Sequence, residues 1–464
     1  MSEALWTSRE IVAATGGREV GAAFAAAGVS IDSRDCAPGD LFVALSGARD
    51  GHDFVAGALA GGAAGALTSR PVDGPGVRVD DTLLGLERLG EAARRRALHA
   101  RRAAVTGSVG KTSVTQAVRA GLARAGAAHG SVKSYNNHIG VPLTLARMPR
   151  STRRAVFEIG MNHAGEIAPL SRLVQPHVVA ITTVAAVHVE NFADGEAGVA
   201  KAKAEIFSGL TQGGLAILNA DNRWFDALQA QARLGGAKVR AFGAGPEADA
   251  RLIRFTPGQD GARVDAVIDG DHIAYDLRQS APHWGPMSLC ALMVMEALDV
   301  DRSIALASLA GFEPLAGRGS ALSLALAGGS FTLIDESYNA SPVSVTAALA
   351  SLATRNVAAR RLVALTDMLE LGPQSAALHA ALAAPIAAAG IDLVFCAGPL
   401  MRALWDALPA SRRGAWVPSA AELAPVLTSA VAPGDAIMIK GSRDSRAYLL
   451  VEALKAAART GGEA

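Results

Sequence analysis

Cysteine is scarce and scattered. The chain has three in 464 residues, Cys36, Cys290 and Cys396. With no C-x-x-C pair, they exclude a disulfide framework and a thiolate zinc site and fit a reducing cytosol. Aromatic residues are only 5% of the chain although half of it is hydrophobic, so the apolar content is chiefly Ala, Val and Leu. Neither sign of charge dominates. A net charge of +1 leaves no basic excess for nucleic acid and no acidic solvating tail, so anion binding must come from local loops. Long apolar runs are missing too. The stretch 380–391 contains Pro385 and stops at Asp392, short of the roughly 20 residues that span a bilayer. No integral membrane segment is expected. Ser8-Arg9-Glu10 interrupt the N-terminal stretch, against a signal peptide. The expectation is a soluble, cytoplasmic protein.

What is present starts with Ala103-Ala104-Val105-Thr106-Gly107-Ser108-Val109-Gly110-Lys111-Thr112-Ser113. A short apolar run ends in a turn with two glycines, a lysine and two hydroxyl residues, and a helical composition follows. In such a loop the backbone N–H groups of residues 107–113 close round phosphate oxygens at the helix N-terminus. Lys111 reaches the outer phosphates and the Thr112 hydroxyl takes a position on Mg²⁺. The longer G-x-x-x-x-G-K-[ST] pattern would need glycine at Val105; the loop here is the shorter T-G-x-x-G-K-T-S form. ATP is the expected nucleotide.

At this length one core is insufficient, and a prior of about 100–200 residues per domain points to three domains. Residues 1–98 read as a small α/β unit, with strands at 29–31, 41–45 and 65–68 and a polar turn at Asp32-Ser33-Arg34. In residues 99–314, apolar strands at 155–159, 178–183 and 215–219 alternate with helices from about Ala164 and over 196–210. That alternation implies a parallel sheet covered on both faces, followed by antiparallel strands over 240–280 and a helix over 287–298. Residues 315–464 restart the alternation as a second, Rossmann-like α/β domain, with strands at 331–336, 361–366, 393–396 and 436–440. The fold class expected is α/β in three domains around a central parallel-sheet P-loop ATPase domain.

Ligands of such sheets bind beyond the carboxyl ends of the strands. Glu158, His188 and Asn219 fall at those ends, on the same edge as the phosphate loop. Magnesium takes oxygen ligands and keeps several waters; Glu158, closing an apolar strand, is the natural carboxylate. Lys201 and Lys203 lie within a helix and by themselves read as solvated lysines. Asp335-Glu336-Ser337-Tyr338-Asn339 and Lys440-Gly441-Ser442-Arg443 are polar strand exits that together suggest an edge closing over the nucleotide.

These stretches, with Gly51-His52-Asp53-Phe54, Asn136-Asn137-His138-Ile139-Gly140, Glu158-Ile159-Gly160-Met161-Asn162-His163 and Asp367-Met368-Leu369-Glu370-Leu371-Gly372, resemble the Mur ligase family, in order and over essentially the whole chain. The motifs at 335–339 and 367–372 are similar to its D-Ala-D-Ala-adding branch. The resemblance implies an ATP-dependent amide ligase that joins D-alanyl-D-alanine to UDP-N-acetylmuramoyl-tripeptide through an acyl phosphate in peptidoglycan precursor synthesis, acting as a monomer. It implies that Thr112, Glu158, His188 and a carbamylated Lys203 hold Mg²⁺, with Lys111, His188 and Lys203 catalytic. It implies further that Arg318 meets the ATP phosphates and Asp335 or Glu336 the ribose. Asn136 and Asn137 would line the substrate cleft, and Asp32, Ser33 and Arg34 would grip the UDP end. Two departures stand out: Met287 occupies a place where the family often carries an adenine-side Asn, and Glu336 stands where Asp is common. Competing readings are a related amino-acid or folylpolyglutamate-type ligase, a P-loop switch ATPase, and a non-catalytic UDP-sugar-binding protein.

Overall fold

Three sheets organise the chain. The computed structural model describes residues 4–47, 49–132, 134–186, 189–258 and 261–461. His188 lies outside them.

The first sheet runs Arg18–Val20, Gly76–Arg78, Gly65–Thr68, Asp40–Val43, Gly28–Ser30 in spatial order. The helix Thr82–Arg96 starts where the Asp81 side chain accepts from the Leu84 N–H, satisfying one of the donors a helix start leaves free. Its Leu86, Leu89 and Ala93 are fully buried in a core shared with Leu41, Leu67 and Val77. The same core takes in Leu143 and Ala146 of the next unit. Trp6 Nε1 donates to the Ala146 carbonyl at 2.8 Å, which ties the first sheet to the second.

The second sheet has nine strands. Its order is Asp271–Leu277, Gly261–Ile268, Ala250–Gly258, Lys238–Gly243, Leu215–Asn219, Val178–Ile181, Arg101–Thr106, Arg154–Glu158, Ala128–Gly130. The loop-bearing strand therefore lies between two parallel neighbours, with Glu158 opposite Val105 and Ile181 opposite Thr106. The all-buried strands 103–105 and 155–158 explain the near-continuous apolar runs, since both faces are covered. The antiparallel strands expected over 240–280 extend this same sheet.

Two helix boundaries differ from expectation. The helix expected from Ala164 begins after Gly165, whose φ of +88° breaks a right-handed helix, and runs Ile167–Val174. The Glu205 carboxylate accepts from the N–H groups of Gly165, Ile167 and Ala168, capping that helix from a distant part of the chain. Supplying this cap coincides with the break of the next helix, which is α-helical over Glu196–Ala204 and then 3₁₀ over Glu205–Gly209.

The third sheet runs Ser320–Leu326, Gly329–Glu336, Ala436–Lys440, Arg361–Thr366, Leu393–Ala397, Arg413–Val417. The first strand is antiparallel to the second; the rest are parallel. Separate apolar layers cover its two faces. Together these sheets are the expected α/β architecture, with a parallel centre and a Rossmann-like C-terminal unit. Among the described residues, no helix is long and apolar enough to cross a membrane.

Candidate active site

The phosphate loop is clamped to the strand exit beside it. Ser108 N–H donates to the Thr183 carbonyl at 2.8 Å, and the Ser108 hydroxyl donates to Ala185 O at 3.0 Å. Thr182 Oγ1 donates to Val109 O at 2.6 Å. Gly107 sits at φ +148°, where a Cβ would fall 1.9 Å from Thr182 Oγ1, so only glycine fits. Gly110, at φ +87°, precedes the helix Lys111–Arg124 and faces the Met287 sulfur, which would lie 2.9 Å from a Cβ there. Met287 thus packs under the loop and lines the cleft.

Lys111 Nζ donates to the Gly107 carbonyl at 2.6 Å. Burial lowers its pKa, Glu158 pulls it back up, and Arg318 pushes it down again. Thr112 Oγ1 donates to Glu158 Oε1 at 3.0 Å, and Asn136 Nδ2 donates to the same oxygen at 2.8 Å. Glu158 is 1% exposed, and its Oε2 is sealed without a hydrogen-bond partner. A buried carboxylate oxygen left unpaired is costly, so this atom marks a place for a cation. Among the described residues no three His, Cys, Asp or Glu side chains group as a metal cluster. A hydroxyl plus one carboxylate suits a hard ion that completes its shell with phosphate oxygens and water.

Lys203 corrects the solvated reading of its helix. Lys201 is exposed and paired with Asp194 at 2.8 Å, but Lys203 is 3% exposed, two positions on and so on a different face. Burial drives its pKa well down, with Lys111 adding repulsion. The structure therefore brings Lys203 within the field of the phosphate loop, in a buried site that disfavours its charged form.

A cavity of about 460 Å³ joins the second and third sheets. One wall carries Ser108 to Ser113, Ser134, Asn136, Glu158, Thr183 and Asn219; the facing wall carries Arg318, Glu336, Tyr338, Asn339, Lys440 and Arg443. Arg318 lies over the Tyr338 ring at 3.9 Å. Lys440 Nζ pairs with Glu336 at 3.1 Å and donates to Asn339 O at 3.0 Å. From the polar exits at 335–339 and 440–443, Glu336, Tyr338, Asn339, Lys440 and Arg443 face the phosphate loop across this cleft.

Other expected site residues lie apart. Asp335 does not line the cavity: its carboxylate accepts from Gly317 N–H at 3.0 Å and from the backbone and hydroxyl of Ser337. Of the two acidic candidates, only Glu336 faces the cleft. Asn137 caps the helix Gly140–Ala146, accepting from the N–H groups of Ile139 and Gly140. Asp32 and Arg34 form an exposed bidentate pair next to Ser33 on the first sheet; Arg34 holds the Asp32 carboxyl well below the usual range. His283 was missed by sequence reasoning. Half-buried, with its Nδ1 sealed and unpartnered, it lines both the cleft and a small cavity of about 20 Å³. A lone histidine before an apolar helix carries no signal that would single it out. Ser134 and Thr183 likewise enter only through folding.

Comparison with known proteins matches this geometry to one family. Residues 105–295 match the Mur ligase middle domain, residues 324–443 the Mur ligase glutamate ligase domain, and residues 26–96 the Mur ligase family catalytic domain. The UDP-N-acetylmuramoyl-tripeptide--D-alanyl-D-alanine ligase of Escherichia coli (strain K12) is 37% identical over 92% of this chain and 93% of its own. The chain belongs to the Mur ligase family. A crystal structure of MurF from Acinetobacter baumannii superposes with a TM-score of 0.85 at 27% identity, covering 97% of this chain and 99% of that one. MurF ligase from Thermotoga maritima, solved with ADP, shares the fold at a TM-score of 0.75 and 22% identity, over 93% and 98% of the two chains. Within this family the sealed Glu158 oxygen, the buried Lys203 and the two-walled cleft are the features to be explained chemically.

Proposed function

We propose that the chain is an ATP-dependent amide ligase that joins D-alanyl-D-alanine to UDP-N-acetylmuramoyl-tripeptide, forming a peptidoglycan precursor. The observation that carries this reading is the cleft in which the phosphate loop faces the Glu336–Lys440–Arg443 wall, so that phosphate-binding groups and a second polar wall open on one space. The name of the Escherichia coli relative supports the substrates, and the ADP bound to a fold relative supports the nucleotide.

In this reading an oxygen of the tripeptide's terminal carboxylate attacks the γ-phosphorus, and ADP leaves with the electron pair of the broken P–O bond. The dipeptide amine then attacks the acyl carbon, inorganic phosphate departs with the electron pair of the acyl C–O bond, and the nitrogen gives up a proton. Both steps depend on positioning and on neutralising charge. The N–H groups of residues 107–113 and the N-terminus of the helix behind them cradle the phosphates. Lys111 releases the Gly107 carbonyl and moves its charge to the γ-phosphate; Arg318 brings a second positive charge from the facing wall. Thr112 and Glu158 are the residues that would hold Mg²⁺, whose chemistry is to draw charge from the transferring phosphoryl group. Asn136 holds the Glu158 carboxylate in orientation.

Lys203 and His188 complete the proposed metal and catalytic set. A buried, neutral lysine amine adds to CO₂, losing a proton and becoming an anionic carbamate. That change turns a group which would repel a cation into an oxygen ligand. Glu336 is the carboxylate available to a ribose once Lys440 holds it in place, and Asp32, Ser33 and Arg34 are assigned to the UDP end. Residues 1–98, 99–314 and 315–464 are the proposed substrate, ATP and C-terminal ligase domains of a cytoplasmic monomer.

A phosphate-release assay tests the reading. Release should require ATP, Mg²⁺, UDP-N-acetylmuramoyl-tripeptide and D-alanyl-D-alanine together. Equal hydrolysis without either acceptor or donor would sink it, and release supported by glutamate and folate would favour the folylpolyglutamate-type alternative.

A further inference from the structure

Four lysine and arginine side chains line the cleft among the described residues: Lys111, Arg318, Lys440 and Arg443. Three are accounted for. Lys111 donates to the loop carbonyl of Gly107, Arg318 lies on Tyr338, and Lys440 is paired with Glu336. The Arg443 guanidinium has neither an ion pair nor a hydrogen-bond partner among the described residues, and the residue is exposed at the cleft. Arg318 acts on the charge of Lys111, whereas Arg443 is not among the charges that do. Arg443 thus stands apart from the phosphate-binding cations.

Its attachment is rigid. Ser442 N–H donates to Asp367 O at 3.1 Å, and Leu369 N–H donates to Ser442 Oγ at 2.9 Å. Ser445 Oγ donates to Ser442 O at 2.6 Å and lies 2.5 Å from Thr366 Oγ1. A Cβ at Gly441 would fall 1.6 Å from that same Thr366 oxygen. Three of these bonds therefore hold the Gly441–Ser445 turn to the end of the strand Arg361–Thr366 and the residues just after it, and the fourth braces the turn internally. Such a backbone presents a cation in a fixed place rather than on a mobile surface loop.

We propose that Arg443 binds the terminal carboxylate of the acceptor dipeptide, an inference that rests on the ligase reading above. The dipeptide brings two ends with opposite needs. Its amine must reach the acyl carbon beside Lys111 and Glu158, unprotonated. Its carboxylate is a fixed negative charge about 7 Å further along two extended residues, which carries it from the phosphate wall towards the C-terminal wall. There Lys440 is already neutralised by Glu336, and Arg443 is free. A guanidinium fork matches a carboxylate in a bidentate pair. The pairing also accounts for selectivity, since an acceptor lacking the carboxylate would leave the fork unfilled.

The test uses Arg443→Met and Arg443→Lys in the full-length enzyme, with D-alanyl-D-alanine and its C-terminal amide as acceptors. Acyl-phosphate formation is read separately, by hydroxylamine trapping of the tripeptide with ATP and no dipeptide. Arg443→Met is expected to raise KM for the dipeptide roughly 10–100-fold, the range for losing a hydrogen-bonded charged group, while hydroxamate formation is unchanged. The unsubstituted enzyme should lose a similar factor on the amide, the Met variant should treat acid and amide alike, and Arg443→Lys should fall between. An unchanged KM, a preserved preference for the acid, or a parallel loss of hydroxamate would overturn the proposal. Hydroxamate without dipeptide product in the unsubstituted enzyme would overturn the acceptor assignment alone. No hydroxamate at all would overturn the ligase reading and the proposal with it.

Discussion

Thr112 and Glu158 meet 3.0 Å apart at the ends of two adjoining elements, and the hydroxyl bonds only one of the two carboxylate oxygens. The other, Oε2, is sealed with no partner. The pairing follows from sheet order: the strands ending at Thr106 and Glu158 are parallel neighbours, so the first turn of the helix after the loop lies over the carboxylate.

Glu158→Gln keeps the shape and the Oε1 bonds but removes the charge. Turnover at saturating ATP should fall by about 10²–10³-fold, the scale for removing one preorganised electrostatic contact. Thermal stability should hold or rise, since a buried unpaired charge is removed. Steady-state kinetics over a Mg²⁺ titration, with a melting curve, check both; a near-normal kcat would contradict the metal assignment.

Gly107→Ala places a methyl where Thr182 Oγ1 already stands, 1.9 Å away. Either the loop or the Thr182–Val109 bond must give. Nucleotide affinity, measured by calorimetry, should drop more than about 10-fold, a cost of at least 1.4 kcal/mol. Thr182→Ala in the same chain should recover part of the lost stability, because the two sites share one contact. Binding unchanged in the single variant would mean the loop does not need its observed shape.

Lys203→Ala should be strongly impaired and partly rescued by a small carboxylic acid that supplies the missing anionic oxygen. Bicarbonate depletion should lower the activity of the unsubstituted enzyme, and intact-mass measurement should detect the addition of one CO₂. Lys203→Met should be inactive yet melt higher, since it removes a buried amine with no hydrogen-bond acceptor among the described residues. Full activity in CO₂-free buffer with an unmodified side chain would remove the carbamate from the scheme.

Acid should weaken the central unit through two histidines. Burial, first among the causes, pushes His129 and His177 down to about 4. His129 Nε2 lies 2.7 Å from Thr144 O, and His177 Nδ1 accepts from the Arg102 N–H at 3.1 Å. Each folded pKa is below the unfolded value of about 6.5. Below that value the unfolded chain binds more protons, so stability is full above about pH 6.5 and falls towards pH 4. Chemical denaturation across that range should give a falling midpoint, and His129→Gln should flatten it. Equal slopes in both proteins would show that His129 is not protonated on unfolding.

Much of this was legible in the chain because it depends on local pattern. The alternation of apolar strands with helices, the glycines at 107 and 110, and the placing of Glu158 at a strand end all follow from backbone conformation and period. The Glu205 cap on a helix some 40 residues earlier was not legible, since a cap supplied from a distance leaves no mark beside the helix it serves. Nor was the difference between Asp335 and Glu336. They are neighbours on one strand, and alternation sends one to the Gly317 backbone and the other to the cleft.

The sequence by itself determined the class of fold, the phosphate loop and the resemblance to a ligase family, because those rest on spacing along the chain. Tertiary structure alone decided which lysine of a helix is buried, which acidic residue faces the cleft, and which cation is left unpaired among the described residues. Burial and charge pairing are properties of what surrounds a side chain. Those surroundings come from strands and helices distant in sequence, brought together only when the second and third sheets close around one cleft.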